Sequence, residues 1–388
     1  MGSTDVLVVG AGPAGALAAL ILARAGVTVR LIDRACFPRD KLCGDTLNPG
    51  SLAILERHAL ATAVRERAIA ITGMTVTGPG GIAVSADYPR GLNGLAIARR
   101  HLDVLLVRAA AGEGVMFDAG VAAVAPMMSA DGVRVAGIRA ACRGREDVLR
   151  APVVIAADGR ASRIGAALGL TRFALTPRRW AYGTYFEGVE GLTARGEMHI
   201  RPDGYVGVAP LPGGNANVCV VREALRGASR FDPRTIVSEA VSSDPALHTR
   251  FRRAARVADV TVLGPLAVDA SSAGVPGLLL AGDAAGFVDP MTGDGLRFAL
   301  RGAELAAEAA LVELSNGVPA FDRLRVARAR EFAVKWRVNR ALRTLVGSPR
   351  ALDVAARVAG RWSAPVAYLI GFAGDVPPPI PDASGLTR

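Results

Sequence analysis

A glycine-rich turn near the start of the chain carries its clearest chemistry. Gly10-Ala11-Gly12-Pro13-Ala14-Gly15 follows the apolar run Asp5-Val6-Leu7-Val8-Val9 and precedes small and aliphatic residues from 16 to 25. Gly10 permits a tight turn, Gly12 lets backbone N–H groups approach a pyrophosphate, and Gly15 lets helix and strand pack closely. The helix N-terminus then faces the anion with unpaired donors and a partial positive charge. Asp33, followed by Arg34, ends a second apolar run and is placed to accept hydrogen bonds from an adenosine ribose. Two later segments repeat the pattern of a buried strand ending in an acid. One is Pro152 to Ala157 leading to Asp158-Gly159; the other is Gly277 to Ala281 leading to Gly282-Asp283.

These turns need a parallel sheet with helices packed against it. Residues 5–9 and 27–32 read as strands buried on both faces, and residues 16–25 as the helix between them. After Asp283 come Pro290-Met291-Thr292-Gly293-Asp294-Gly295-Leu296 and a long Ala-rich helix over residues 296–315. That helix start would place N–H groups and a dipole against developing negative charge. From about residue 178 to 268 the pattern changes to alternation with aromatics, predicting antiparallel strands at 180–186, 198–200, 205–210 and 217–221. Tyr205, His199 and Tyr185 on these strands are candidate polar groups for a substrate pocket between sheet and cofactor. A basic run follows from Phe321 to Arg343, interleaved with Leu324, Phe332, Trp336 and Leu342 at helical spacing. A second helix is expected over residues 352–361, and Pro377 to Pro381 close the pattern.

Composition narrows the function classes. The 388 residues are about half apolar and only 21% charged, so the chain is globular and large enough for two or three layers. Cys36, Cys43, Cys142 and Cys219 form no CxxC, and the four histidines are isolated, so no metal site is expected. The net charge of +11 comes from scattered arginines, with no recognised nucleic-acid module. The early strand leaves no room for a signal peptide, which predicts a cytoplasmic protein. The basic run reads first as a solvated face on the core. Peripheral contact with an anionic membrane through this C-terminal helix is the sharper alternative.

Taken in order, the GxGxxG turn, the Asp158-Gly159 turn and the Gly282-Asp283 segment resemble the flavoprotein superfamily that joins aromatic-ring hydroxylases (class A flavin monooxygenases) to geranylgeranyl reductases. The resemblance spans roughly residues 5–310. It implies FAD, with the α/β architecture of a Rossmann-like FAD-binding domain (residues 1–177 and 269–316, with a small insertion near 70–95). An inserted antiparallel β-sheet substrate domain (178–268) and a C-terminal helical tail (317–388) complete the expected organisation. By the same resemblance Asp283 would hydrogen-bond the ribityl chain, and Asp158 and Gly159 would brace the pyrophosphate region. Arg99, in Ile97-Ala98-Arg99-Arg100-His101, would reach the cofactor, and Val121 would contact adenine. Lys41-Leu42-Cys43-Gly44-Asp45 is similar to a turn of the geranylgeranyl reductases, which would put Cys43 and Gly44 beside the flavin.

With one glycine-rich fingerprint only, NAD(P)H is expected to dock transiently as electron donor. The reductases' Tyr-x-Trp-x-Phe-Pro-Lys signature falls on Tyr205 to Leu211, where only Tyr205 and Pro210 match. Gly207, Ala209 and Leu211 replace the other three residues. Flavin halogenases share the cofactor motifs, but their Trp-x-Trp-x-Ile-Pro signature is absent. The resemblance therefore implies, first, a monooxygenase acting on a hydrophobic aromatic or polyketide-like molecule, and second, a reductase or dehydrogenase of a lipophilic substrate. A retained FAD fold without turnover is the third, non-enzymatic reading.

Overall fold

A computed structural model describes residues 4–174, 178–223, 232–362 and 364–376. The proline-rich stretch at 377–381 lies outside the described residues. Four apolar segments far apart in sequence align in one six-stranded sheet. Its order is Gly274–Val275, Leu278–Leu280, Val153–Ala156, Val6–Val9, Val29–Asp33 and Met116–Ala119. All neighbours are parallel except the first two strands, which form a hairpin. Both faces are covered, which is why these strands are continuous apolar runs instead of alternating ones. Helices Pro13–Arg24, Arg99–Gly112 and Gly295–Asn316 bury Leu17, Leu20, Leu106, Leu300 and Ala303 on one face. On the other face, Ile138 and Leu149 of a three-stranded meander (Ala122–Met128, Val135–Cys142, Arg145–Arg150) pack on Leu7 and Val154.

The second sheet has eight strands, built around Arg179–Glu187, Asn215–Glu223, Gly204–Pro210 and Arg195–Arg201. Read from the sequence as a small insertion in the cofactor-binding unit, residues 70–95 instead complete this sheet with strands Gly73–Thr77 and Ala83–Asp87. Gly73–Thr77 runs parallel to Arg195–Arg201, so the sheet is antiparallel except at that pair. Side chains alternate between its faces. Met198, Tyr205, Cys219 and Val221 form one apolar cluster. Val206, Val208, Val218 and Val220 point the other way and pack under helices Pro233–Ser242 and His248–Phe251.

Three helices follow the long one: Phe321–Val346, Pro349–Arg361 and Ala364–Ala373. In the first of them Leu324, Arg328, Phe332, Lys335, Asn339 and Val346 are buried, with Trp336 and Leu342 packed on the core beside them. Two of the basic residues counted as surface are thus internal. Arg328 donates to the Ala285 carbonyl at 2.9 Å, and Lys335 to Asp294 at 2.7 Å. The apolar positions that the sequence offered to a bilayer face inward. Among the described residues, no helix is long and apolar enough to cross a membrane.

Candidate active site

The glycine turn is held by close backbone packing. A Cβ on Gly10 would lie 2.4 Å from the Ala157 carbonyl oxygen, and one on Gly15 only 1.8 Å from the Gly10 carbonyl oxygen. Gly10 also has φ +97°, a conformation that glycine alone adopts easily. Gly12 is different, because its front is open. A Cβ there would meet only guanidinium tips, Arg39 Nη2 at 3.6 Å and Arg99 Nη2 at 3.8 Å. Across from it, Lys41 Nζ stands 3.4 Å from the corresponding point on Gly159. Three cations therefore converge on the front of helix Pro13–Arg24.

Carboxylates fix the two arginines. Arg99 binds Asp103 through two hydrogen bonds of 2.8 and 2.9 Å, and Arg39 lies 3.3 Å from Asp103 and 3.6 Å from Asp33. Burial, then the neighbouring Arg99, pushes the Lys41 ammonium below its ordinary value. Cationic side chains in front of a helix N-terminus with unpaired N–H groups are placed to meet an anion. Buried Arg39 Nε, Arg160 Nε and Asp158 Oδ1 have no hydrogen-bond partner. These orphan atoms, with the open front of Gly12, fit the pyrophosphate and ribityl portions of FAD.

Asp33, expected from the sequence to meet an adenosine ribose, braces the turn. Its carboxylate accepts from the Ala11 and Ala35 amides, both at 2.8 Å, and its carbonyl accepts from the Val121 amide at 2.9 Å. Arg34 is exposed. Asp158 accepts from the Arg163 amide at 3.0 Å. Burial pushes its carboxyl above the ordinary range, against a hydrogen bond from Ser162.

A cavity of about 170 Å³ runs from this cradle to the second sheet. Gly12, Pro13, Ala14, Gly282 and Asp283 line one end, while Cys43, Gly44 and Arg99 line its side. Pro290, Gly293, Gly295 and Leu296 close the far end, and Met198, Tyr205, Gly207 and Cys219 of the sheet form the floor. Asp294 does not face this space, although its neighbours do. Its side chain accepts from Lys335 Nζ and from Asn48 Nδ2 (3.2 Å), and makes no cap bond to its own helix. The first amides of helix Gly295–Asn316 thus stay available at the cavity.

The pocket candidates separate. Tyr205 lines the cavity, but its hydroxyl donates to Asp289 at 2.5 Å, and Asp289 also receives Arg179 at 3.2 Å. Tyr205 is therefore a clamp between the floor and the Pro290 loop. His199 does not reach the cavity. It lies on the sheet face packed under helices, between Thr77 and Glu197, each at 2.9 Å. Its strand neighbour Met198 takes the cavity face, so the strand's alternation corrects that candidate by one residue. Tyr185 lines a neighbouring polar groove of about 700 Å³ with Arg67, Arg100, His101 and Asn217, which shares Lys41 and Leu42 with the cofactor cavity.

Cys43 faces the cofactor cavity, and burial pushes its thiol up, against the pull of Arg99. Sequence reasoning missed the roles of Arg39, Lys41 and Arg160, and that of Asp45. The last has no exposed surface and φ +54°. It accepts from Tyr185 Oη (2.9 Å), Asn217 Nδ2 (2.7 Å) and the Arg99 amide (3.2 Å). Burial raises its carboxyl to about 6, against the hydrogen bonds from Tyr185 and Asn217. A charged residue directly after Cys43-Gly44 was the available signal.

An apolar groove of about 330 Å³ lies between the sheet and the last helices, lined by Val76, Ile200, Leu345, Leu352, Ala356 and Ile370. It shares Met74, Met198, Met291 and Thr292 with a smaller cavity of about 80 Å³ over Gly207 and Ala209. That cavity shares Gly44, Thr46, Gly207 and Cys219 with the cofactor cavity. The lining is continuous from the C-terminal helices to the expected flavin.

Residues 3–341 match the family described as FAD binding domain. The chain is 30% identical over 389 residues to the menaquinone reductase of Mycolicibacterium smegmatis, covering 92% of this chain and 88% of that protein. It is 31% identical over 327 residues to the digeranylgeranylglycerophospholipid reductase of Methanosarcina mazei, covering 81% and 76%. Among solved structures, the flavin-dependent brominase Bmp2 superposes with a TM-score of 0.83 at 18% identity, over 96% of this chain and 94% of that one. At that identity the likeness speaks for the fold alone.

Proposed function

Since this chain belongs to the FAD binding domain family and is an FAD-dependent oxidoreductase, we propose that it reduces a carbon–carbon double bond in a long, unsaturated apolar lipid. The carrying observation is the apolar groove that continues to the cofactor cavity over Gly207 and Ala209. Its long apolar lining suits a chain better than a compact phenol. Relatives named for reducing menaquinone and digeranylgeranylglycerophospholipid point to the same substrate class.

Bound FAD, once reduced by an external electron donor, would supply the hydride for such a reduction. Arg39, Lys41 and the open front of Gly12 would hold its pyrophosphate, and Asp283 its ribityl chain. The amides opening helix Gly295–Asn316 would face the flavin's pyrimidine edge and favour its reduced, anionic form. Met198 and Cys219 would press the alkene toward the ring, while Gly207 leaves space for it. Addition of hydrogen across the double bond also needs a proton on the second carbon. The Cys43 thiol, held protonated by burial and facing the cavity, is the donor we assign. NAD(P)H, the proposed electron donor, would approach through the polar groove outside Leu42.

Hydroxylation of an aromatic molecule, placed first on sequence alone, is the second reading. It is favoured by the same absence of bulk at Gly207 and Ala209, which leaves room for a planar ring. Anaerobic incubation of the holoenzyme with dithionite and a panel of polyprenyl lipids separates the two. A product carrying two added hydrogens is expected. A panel that reacts only when oxygen is admitted, gaining an oxygen atom, would overturn the reductase reading.

A further inference from the structure

We infer that the outer stripe of helix Pro349–Arg361, together with Trp362, docks this protein on an anionic lipid membrane, with the apolar groove opening onto that contact. Arg350, Val354, Arg357, Val358 and Arg361 recur at spacings of three and four residues, which places them on one face of the helix. All five are exposed. Leu352 and Ala356 on the opposite face are buried against the body of the protein.

An outer face of this kind has no use in water. Val354 is 54% exposed, Val358 on the next turn 47%, and Trp362, just past the helix end, 68%. Such residues standing together are a contact surface and not a scattering of single apolar side chains. Their arginine neighbours decide the partner. Arginine stems lie along apolar surface while the guanidinium heads reach outward, and tryptophan settles at the boundary between headgroups and acyl chains. Asp353 is the acidic residue of this helix, against three arginines on the stripe. A symmetric contact with a second copy would set arginine stripe against arginine stripe. Anionic headgroups match it instead.

The second observation is where the groove ends. Val358, 47% exposed, and Trp362 both line the groove and stand in the exposed patch. The opening and the patch are one place. Lateral entry of a lipid from the bilayer follows, and that clause rests on the reductase reading. Docking itself does not.

Flotation of the full-length holoprotein through a density gradient tests docking alone. The probes are vesicles of phosphatidylcholine, and of phosphatidylcholine with one quarter phosphatidylglycerol. At low salt the protein should float with the anionic vesicles and stay behind with the neutral ones. The variant Arg350→Glu/Arg357→Glu/Arg361→Glu should partition about 100-fold more weakly, since each basic residue near such a surface contributes about fivefold. Val354→Ser should weaken flotation without touching the groove. Unchanged flavin content and melting temperature show that the variants fold. Wild-type protein that stays with the soluble fraction, equal flotation of the charge-reversed variant, or a dimer dispersed by Val354→Ser would overturn the proposal. Anaerobic turnover of a detergent-dispersed lipid reports on the reductase reading separately.

Discussion

Asp45, Cys43 and Gly207 each give the site a separately measurable property. Asp45 has a folded-state value of about 6 against an ordinary 3.8, so its neutral form favours the fold. That contribution is fully present below about pH 4 and is lost as pH rises through about 6, on the order of 3 kcal/mol in all. Chemical denaturation across this window should show the slope in the wild type and lack it in Asp45→Asn; equal slopes would mean that another group titrates. Cys43→Ala should retain FAD yet slow lipid reduction by about 10² to 10⁴-fold, the range of general acid catalysis. An unchanged rate would remove the thiol from the chemistry. Gly207 meets nothing closer than 3.8 Å at its missing Cβ. Gly207→Trp should therefore fill the space over the flavin, blocking turnover while leaving the flavin spectrum intact. Residues of this kind were only partly legible in the sequence. Gly12 and Asp283 sit in short strand–turn segments whose geometry is local. The role of Asp45 depends on Tyr185 and Asn217, 140 and 172 positions away.

Between elements, the strand–turn–helix unit and the C-terminal helices hold the site from two sides. Gly10→Ala would force φ +97° on alanine and drive its methyl into Ala157. A loss of at least about 1–3 kcal/mol and protein purified without flavin are expected; yellow protein of wild-type stability would show that the turn can relax. At the other side, Lys335 ties the buried Asp294 to the carbonyls of Phe372 and Ala373. Lys335→Met leaves that carboxylate without its counter-ion and should cost about 3–5 kcal/mol at pH 8, less at lower pH as Asp294 takes up a proton. A pH-independent loss would contradict this. The helix was legible from its spacing, but the inward direction of Arg328 and Lys335 was not, because Ala285 and Asp294 come from a different segment. Period-two alternation likewise marked the strands without stating which face turns to the cofactor. Met198 and His199 differ in that respect.

Across the whole molecule, two sheets and a helical cover enclose an apolar groove and a cofactor cavity that share lining residues through a smaller cavity between them. The parallel sheet with its glycine turn could be read from sequence, since each βα unit is contiguous. The strands Gly73–Thr77 and Ala83–Asp87 could not, since the strand they join, Arg195–Arg201, lies more than a hundred residues away. Nor could the groove, which exists only once the last helices cover Met74 and Met198. The most direct measurement of the central claim is a single turnover of pre-reduced holoenzyme mixed anaerobically with a polyprenyl lipid in a stopped-flow spectrometer. Visible flavin absorbance should return at a rate that rises with lipid concentration, with one saturated bond formed per flavin. Absorbance that stays bleached until oxygen is introduced, with no saturated product, would contradict it.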